Sequence, residues 1–193
     1  MQSPSSRTAA CSAIVVMGVS GSGKTTLANS LASALQYDVI DGDDWHLPES
    51  VEKMKNGVAL EDTDRWPWLD RIGGYLAGAE QAGRGRIVAC SALKVAYRDR
   101  LRSFHPDIKF IFLHGEQALI KLRLEARLGH YMPPLLLTSQ LNALEMPLQR
   151  ETDVLRIDIQ KPSEQVTLFL VEKLKLCPSA VGSLSSLTSL TSV

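Results

Sequence analysis

Apolar positions follow two alternating patterns along the chain. Short, nearly all-apolar runs at 13–17, 38–40, 87–90, 109–113 and 154–157 have the length and β-branched content of strands buried on both faces. The longer segments between them, at 24–35, 64–82, 94–104, 117–127 and 162–174, carry apolar residues at helical spacing. Strand–helix alternation predicts an α/β fold with a parallel sheet covered by helices on both faces. No internal repeat breaks this order. Two stretches, 42–63 and 129–150, fit neither pattern and are long for connections, so they are expected to cover the substrate or form a mobile lid. The ends differ from the middle. Residues 1–12 are small and polar and are expected to fray. Residues 178–193 are Ser, Thr, Leu, Val, Ala, Gly and one Pro, without charge, and read as a low-complexity, disordered tail. One domain over 13–177 remains.

Composition narrows the choice of function. A chain of 193 residues has room for one domain with a sizeable core. Lys plus Arg and Asp plus Glu balance at 21 each, which gives no bulk electrostatic case for nucleic acid or an anionic membrane surface. Cys11, Cys90 and Cys177 are odd in number and far apart, as expected for reduced thiols in a cytoplasmic protein. Their spacing does not suit a metal. No run reaches the roughly 20 apolar residues of a membrane span. Arg7 and the apolar run to Val19 imitate a signal peptide, but that run leads into a glycine motif that needs a strand before it.

That motif is G-V-S-G-S-G-K-T at 18–25, which matches G-x-x-x-x-G-K-[ST] at every fixed position between a strand and a helix. Gly18, Ser20, Gly21, Ser22, Gly23 and Thr26 belong to a loop whose backbone N–H groups turn inward on phosphate oxygens, helped by the helix N-terminus. Lys24 is expected to bridge the β- and γ-phosphates, and Thr25 to ligate Mg²⁺. The motif implies ATP or a related nucleotide without separating a kinase from a GTPase, although no guanine-reading N-K-x-D occurs.

The second strand runs into D-G-D-D-W-H at 41–46. Carboxylates at the carboxyl end of a parallel strand lie beside the nucleotide crevice. Alternation along an extended turn puts Asp41 and Asp43 on one side and Asp44 on the other. Asp41 is expected to hold the metal through water, and Asp43 to receive the acceptor's proton; the alternative is a loop that only caps the next helix. Arg65 precedes Pro67, which is expected in the first turn of a helix. It either clamps an anion in the crevice or pairs with Asp62 or Asp64 at the surface. Lys94 and Arg98, four apart, are expected to share a helix face that meets an anionic substrate or water. Arg123 and Arg127 share another, ahead of a break at Gly129 and two prolines. They suit adenine stacking and γ-phosphate neutralisation by a lid, or a solvated helix end.

These segments together resemble the gluconokinase family of small P-loop kinases. The resemblance rests on M-G-V-S-G-S-G-K-T at 17–25, D-G-D-D-x-H at 41–46, K-M-x-x-G at 53–57 and D-x-D-R-x-P-W-L at 62–69. It continues with C-S-A-L-K-x-x-Y-R-D at 90–99, R-x-x-x-R-x-G-H-Y-M at 123–132, and Gln140, Leu144, Glu145 and Pro147. It spans about 13–175 in order. It implies a three-layer P-loop kinase fold with a five-stranded parallel sheet and a lid, and ATP- and Mg²⁺-dependent phosphorylation of D-gluconate at its 6-hydroxyl. It further implies a homodimer, with Arg65 on the substrate carboxylate, Lys24, Asp43 and Arg127 as catalytic groups, and His46, His130 and Gln140 as substrate or lid contacts. Leu128 and Trp66 depart from the family pattern. The rival readings are a related kinase for another hydroxy acid such as shikimate, and a non-catalytic nucleotide-binding regulator.

Overall fold

The computed structural model describes residues 11–79, 82–126 and 134–175. Five parallel strands, β1 (Ala13–Met17), β2 (Asp38–Asp41), β3 (Arg86–Ala89), β4 (Lys109–His114) and β5 (Val154–Asp158), form one sheet in the order β2-β3-β1-β4-β5. The described helices are α1 (Lys24–Leu35), α2 (Pro48–Lys55), α3 (Asp62–Ala77), α4 (Val95–Arg102), α5 (Gln117–Glu125), α6 (Pro134–Ala143) and α7 (Ser163–Lys175).

Strand pleating sorts the apolar residues into two cores. In β1, Ile14 and Val16 face one way while Ala13, Val15 and Met17 face the other. The first set packs with Leu27 and Leu31 of α1 and Leu170 of α7. The second packs with Trp68, Leu69 and Ile72 of α3 and Leu101 of α4. In β4 the same alternation divides Ile111 and Leu113 from Phe110 and Phe112. A side chain as completely buried as Phe110 contributes about 1.5–3 kcal/mol.

The five expected strands are all present, with no end shifted by more than one residue. The two stretches read as irregular contain helices: α2 lies in the first and α6 in the second. Helix α3 starts at Asp62, two residues before the expected position, because Glu61 and Asp64 form a reciprocal cap. Pro67 is therefore its sixth residue rather than a first-turn one. The same helix ends at Ala77, short of the expected 82. Of the expected N-terminal fray at 1–12, residues 1–10 lie outside the described residues, as does the tail at 178–193. Cys11, however, is buried and its carbonyl accepts from the Tyr37 hydroxyl, so the ordered chain starts before 13.

After β1 the chain runs toward the β2 edge of the sheet, and after β4 toward the β5 edge. The crevice at the carboxyl ends of these neighbouring strands is the topological switch point where α/β folds bind ligands.

Candidate active site

The phosphate loop leaves β1 at that switch point. Gly18 (φ +143°) and Gly21 (φ +81°) hold conformations that side chains rarely adopt. A Cβ on Gly18 would lie 2.7 Å from Leu113 O, and one on Gly21 would lie 2.6 Å from Leu124 Cγ of α5. Both glycines thus let the loop curl tightly against β4 and α5. Gly18 N–H donates to Ser91 O (3.3 Å), which ties the loop to the end of β3. Gly23 stands at the N-cap of α1 in the left-handed region without a side-chain cap, leaving the first N–H groups of that helix to the crevice. Lys24 Nζ reaches back to Val19 O (3.2 Å).

Thr25 Oγ1 donates to Asp41 Oδ2 at 2.7 Å, so the hydroxyl and the carboxylate expected to serve the metal meet. Oxygen ligands of this kind, few and beside phosphates, suit Mg²⁺, which keeps most of its shell as water and phosphate oxygen. Among the described residues no three His, Cys, Asp or Glu converge as a metal cage.

The acidic turn is not extended. Gly42–Trp45 is a single 3₁₀ turn capped by Asp41, whose Oδ1 accepts the Asp43 N–H at 3.1 Å. Strand alternation therefore does not apply: Asp41, Asp43 and Asp44 all line one cavity of about 1130 Å³. Trp68, wholly buried in α3, fixes the turn by donating Nε1–H to Gly42 O (2.7 Å). His46 stacks on the same indole, with centroids 4.3 Å apart and planes 12° from parallel. Its Nδ1 is buried without a hydrogen-bond partner among the described residues. Burial, and then the nearby Arg65 charge, lower the His46 pKa to about 4, so the ring is neutral at pH 7.

Arg65 lines the cavity and lies over the Tyr97 ring, its Cζ 5.8 Å from the centroid. It forms no ion pair with Asp62 or Asp64. Asp62 accepts from Lys94 Nζ (2.6 Å) and the Tyr97 hydroxyl (2.5 Å), and the Lys94 bond above all holds its carboxyl below the usual range. Asp64 accepts from Lys53 Nζ (2.7 Å).

Two expectations fail. Arg98 does not face substrate: it is wholly buried, in a bidentate pair with Glu151 (2.7 and 2.8 Å), and its remaining donor reaches Ala92, Leu93 and Glu145 carbonyls. Lys94 is the N-cap of α4, so it shares no helix face with Arg98. It is committed to Asp62 and does not line the cavity. Gln140, on α6, lines the cavity but spends its Oε1 on the Ser20 N–H (2.7 Å) of the phosphate loop. Arg123 lines the cavity on α5 and donates to Ile159 O at 2.8 Å. Arg127 and His130 lie outside the described residues. Asp158, Lys161 and Ser163 also line the cavity and were not foreseen. The rule that located Asp41, a polar residue at a strand's carboxyl end, also singles out Asp158.

A phosphate loop between the first strand and first helix of this strand order, with a hydroxyl–carboxylate pair beneath it, defines a P-loop kinase domain. A family profile described as AAA domain matches residues 14–147. The thermosensitive gluconokinase of Escherichia coli K12 is 42% identical over 153 residues, 79% of this chain and 82% of the relative. Two solved structures, a gluconokinase from Sinorhizobium meliloti 1021 (TM-score 0.75) and a sugar kinase from Janibacter sp. HTCC2649 (TM-score 0.79), are each 41% identical. They cover 85% and 86% of this chain, and 95% of their own chains is matched in each case. The chain belongs to the gluconokinase family.

Proposed function

We propose that the protein transfers the γ-phosphoryl group of ATP to the 6-hydroxyl of D-gluconate, giving 6-phospho-D-gluconate and ADP. The observation that carries this reading is one cavity with three chemically distinct sides. These are the phosphate loop, the Asp43 carboxylate, and an Arg65 guanidinium that forms no ion pair with Asp62 or Asp64, whose carboxylates pair with Lys94 and Lys53. An open-chain sugar acid presents an anion at one end and a primary hydroxyl at the other, and this arrangement matches both.

Arg65 binds the acceptor carboxylate by charge-assisted hydrogen bonds. His46, neutral and held flat on Trp68, offers ring nitrogens to acceptor hydroxyls. Asp43 orients the 6-hydroxyl and takes its proton as the oxygen attacks the γ-phosphorus and the bond to the β-bridging oxygen breaks. Lys24 offsets charge on the transferring group, together with Arg127 by family resemblance. Thr25, and Asp41 through water, would hold Mg²⁺, which would neutralise phosphate charge when bound. Arg123 and the loop after β5 flank the nucleotide, and Gln140 completes the closing side, with His130 assigned to it by family resemblance alone. Positioning and electrostatics supply most of the rate, because the transition state is loose.

Among the described residues no helix is long and apolar enough to cross a membrane. A cytoplasmic homodimer is the form we propose, to be checked by fractionation and by sizing in solution. The function is tested with a panel of gluconate, glucose and shikimate under ATP and Mg²⁺, following ADP and phosphorylated product together. Gluconate should be preferred by a large margin, since neutral glucose leaves Arg65 unpaired. Equal kcat/KM for glucose and gluconate would refute the reading.

A further inference from the structure

The first turn of α3 places Arg65 among acids of its own segment. Asp62 precedes it by three residues on the same helix, a spacing at which an acid and a base pair across one turn. Left alone, that pair would neutralise the guanidinium. In the folded chain Asp62 is drawn off by Lys94 from the β3–α4 connection and by the Tyr97 hydroxyl, both on Oδ1. On the other side, Lys53 of α2 holds Asp64 Oδ1, while Asp64 Oδ2 accepts the Glu61 N–H. Arg65 is left over the Tyr97 face without an ion pair among the described residues. It lines the cavity; Lys94 and Asp62 do not.

We infer that Lys94, seconded by Lys53, is a specificity-determining positioning residue: by engaging the acid that would otherwise pair with Arg65, it keeps one guanidinium without an ion pair of its own available to an anionic acceptor. The inference rests on Arg65 as the acceptor's anion clamp. A guanidinium already paired within its helix would have to release that partner before taking the acceptor carboxylate, so the penalty falls on acceptor binding. The transferring phosphoryl group and the nucleotide meet other residues, so kcat and the KM for ATP carry none of it.

Steady-state kinetics on four variants test this. Lys94→Met should raise KM for gluconate about fivefold, the scale of a partly exposed ion pair, with kcat and KM for ATP within about twofold of the parent. Lys94→Met combined with Asp62→Asn should return KM for gluconate to within about twofold of the parent, because the competing carboxylate leaves with the lysine. A double variant as impaired as Lys94→Met would mean that Lys94 only braces the turn or touches the acceptor directly, and would overturn the inference. An unchanged KM in Lys94→Met would do the same. Asp62→Asn alone should leave KM for gluconate unchanged or lower; a rise would contradict the competition. Arg65→Ala separates the two levels of the argument. If it leaves gluconate kinetics unaltered, the clamp reading falls and the inference with it. If it weakens gluconate by about a hundredfold while Lys94→Met behaves as the parent, only the inference falls.

Discussion

Replacing Glu151 by Gln removes the counter-charge of Arg98 while nearly preserving its shape. Arg98 is wholly buried and the Glu151 side chain is 3% exposed, so water cannot take over the lost role. Breaking a buried pair from one side costs about 3–5 kcal/mol, since a cation remains in the interior without its partner. The titration of Glu151 gives a second measure. Hydrogen bonds from Arg98 first, and then from Arg102 against the cost of burial, lower its pKa from 4.5 to about 2. At about 1.4 kcal/mol for each tenfold change in acidity, that corresponds to about 3 kcal/mol. Three carbonyls still accept from Arg98, and Asp153 still pairs with Arg102, so the lower end of the range applies. For a domain of this size, 3 kcal/mol lowers Tm by about 10 °C. Circular dichroism during thermal and urea unfolding at pH 7 reads the change directly, with an unchanged urea slope if the native state stays compact. The sign with pH follows from the depressed carboxyl. Its contribution is complete above about 4.5 and fades as the pH falls toward 2, so parent and variant should converge in acid. A variant melting within about 2 °C of the parent at pH 7 would show that the pair is energetically idle.

Three further outcomes are expected. Lys24→Ala should abolish phosphoryl transfer while circular dichroism and Tm stay close to those of the parent; normal turnover in a folded variant would remove the loop from the mechanism. Asp43→Asn should lower kcat by about a hundredfold or more with little change in ATP affinity, whereas Asp41→Asn should chiefly raise the Mg²⁺ concentration required, and an exchange of these phenotypes would exchange the roles. The His46 ring, followed by nitrogen NMR, should stay neutral down to about pH 4 and titrate at higher pH in Arg65→Ala; it stabilises the fold fully above about 6.5 and less as the pH falls toward 4, and a midpoint near 6.5 in the parent would contradict its buried, Arg65-facing position.

What was legible in the sequence was what is local. The phosphate loop needs its glycines for backbone reasons and its lysine and threonine at fixed offsets, so the string at 18–25 stated its own geometry. The central strands β1, β3 and β4 were legible because burial on both faces leaves them nearly all apolar, and the half-buried edge strands β2 and β5 through their short Val, Ile and Leu runs. The second and sixth helices were not. The segment at 48–55 is amphipathic but only 8 residues long and mostly polar, too short for its period to stand out, and 134–143 is apolar without a clear stripe. Arg98 was misread for a different reason. Spacing of four residues says that two side chains share a face only if both lie inside the helix, and Lys94 stands at its cap. Nothing local reveals that Arg98 points inward, because its partner Glu151 is 53 residues away. Trp68 was passed over similarly: its hold on Gly42 and His46 is visible only once α3 lies under the acidic turn. Arg65 shows the limit from the other side. The sequence left open whether Asp62 or Asp64 would pair with it, and two lysines from other segments take both acids, so that neither forms an ion pair with it.

The central claim is the identity of the acceptor and of the atom phosphorylated. Purified protein incubated with ATP, Mg²⁺ and D-gluconate, followed by phosphorus NMR of the products, tests both at once. One phosphomonoester should appear per ADP, coupled to the two protons on carbon 6, and it should not appear with Lys24→Ala. ADP formed at the same rate without gluconate, or a phosphate on any other carbon, would contradict the claim.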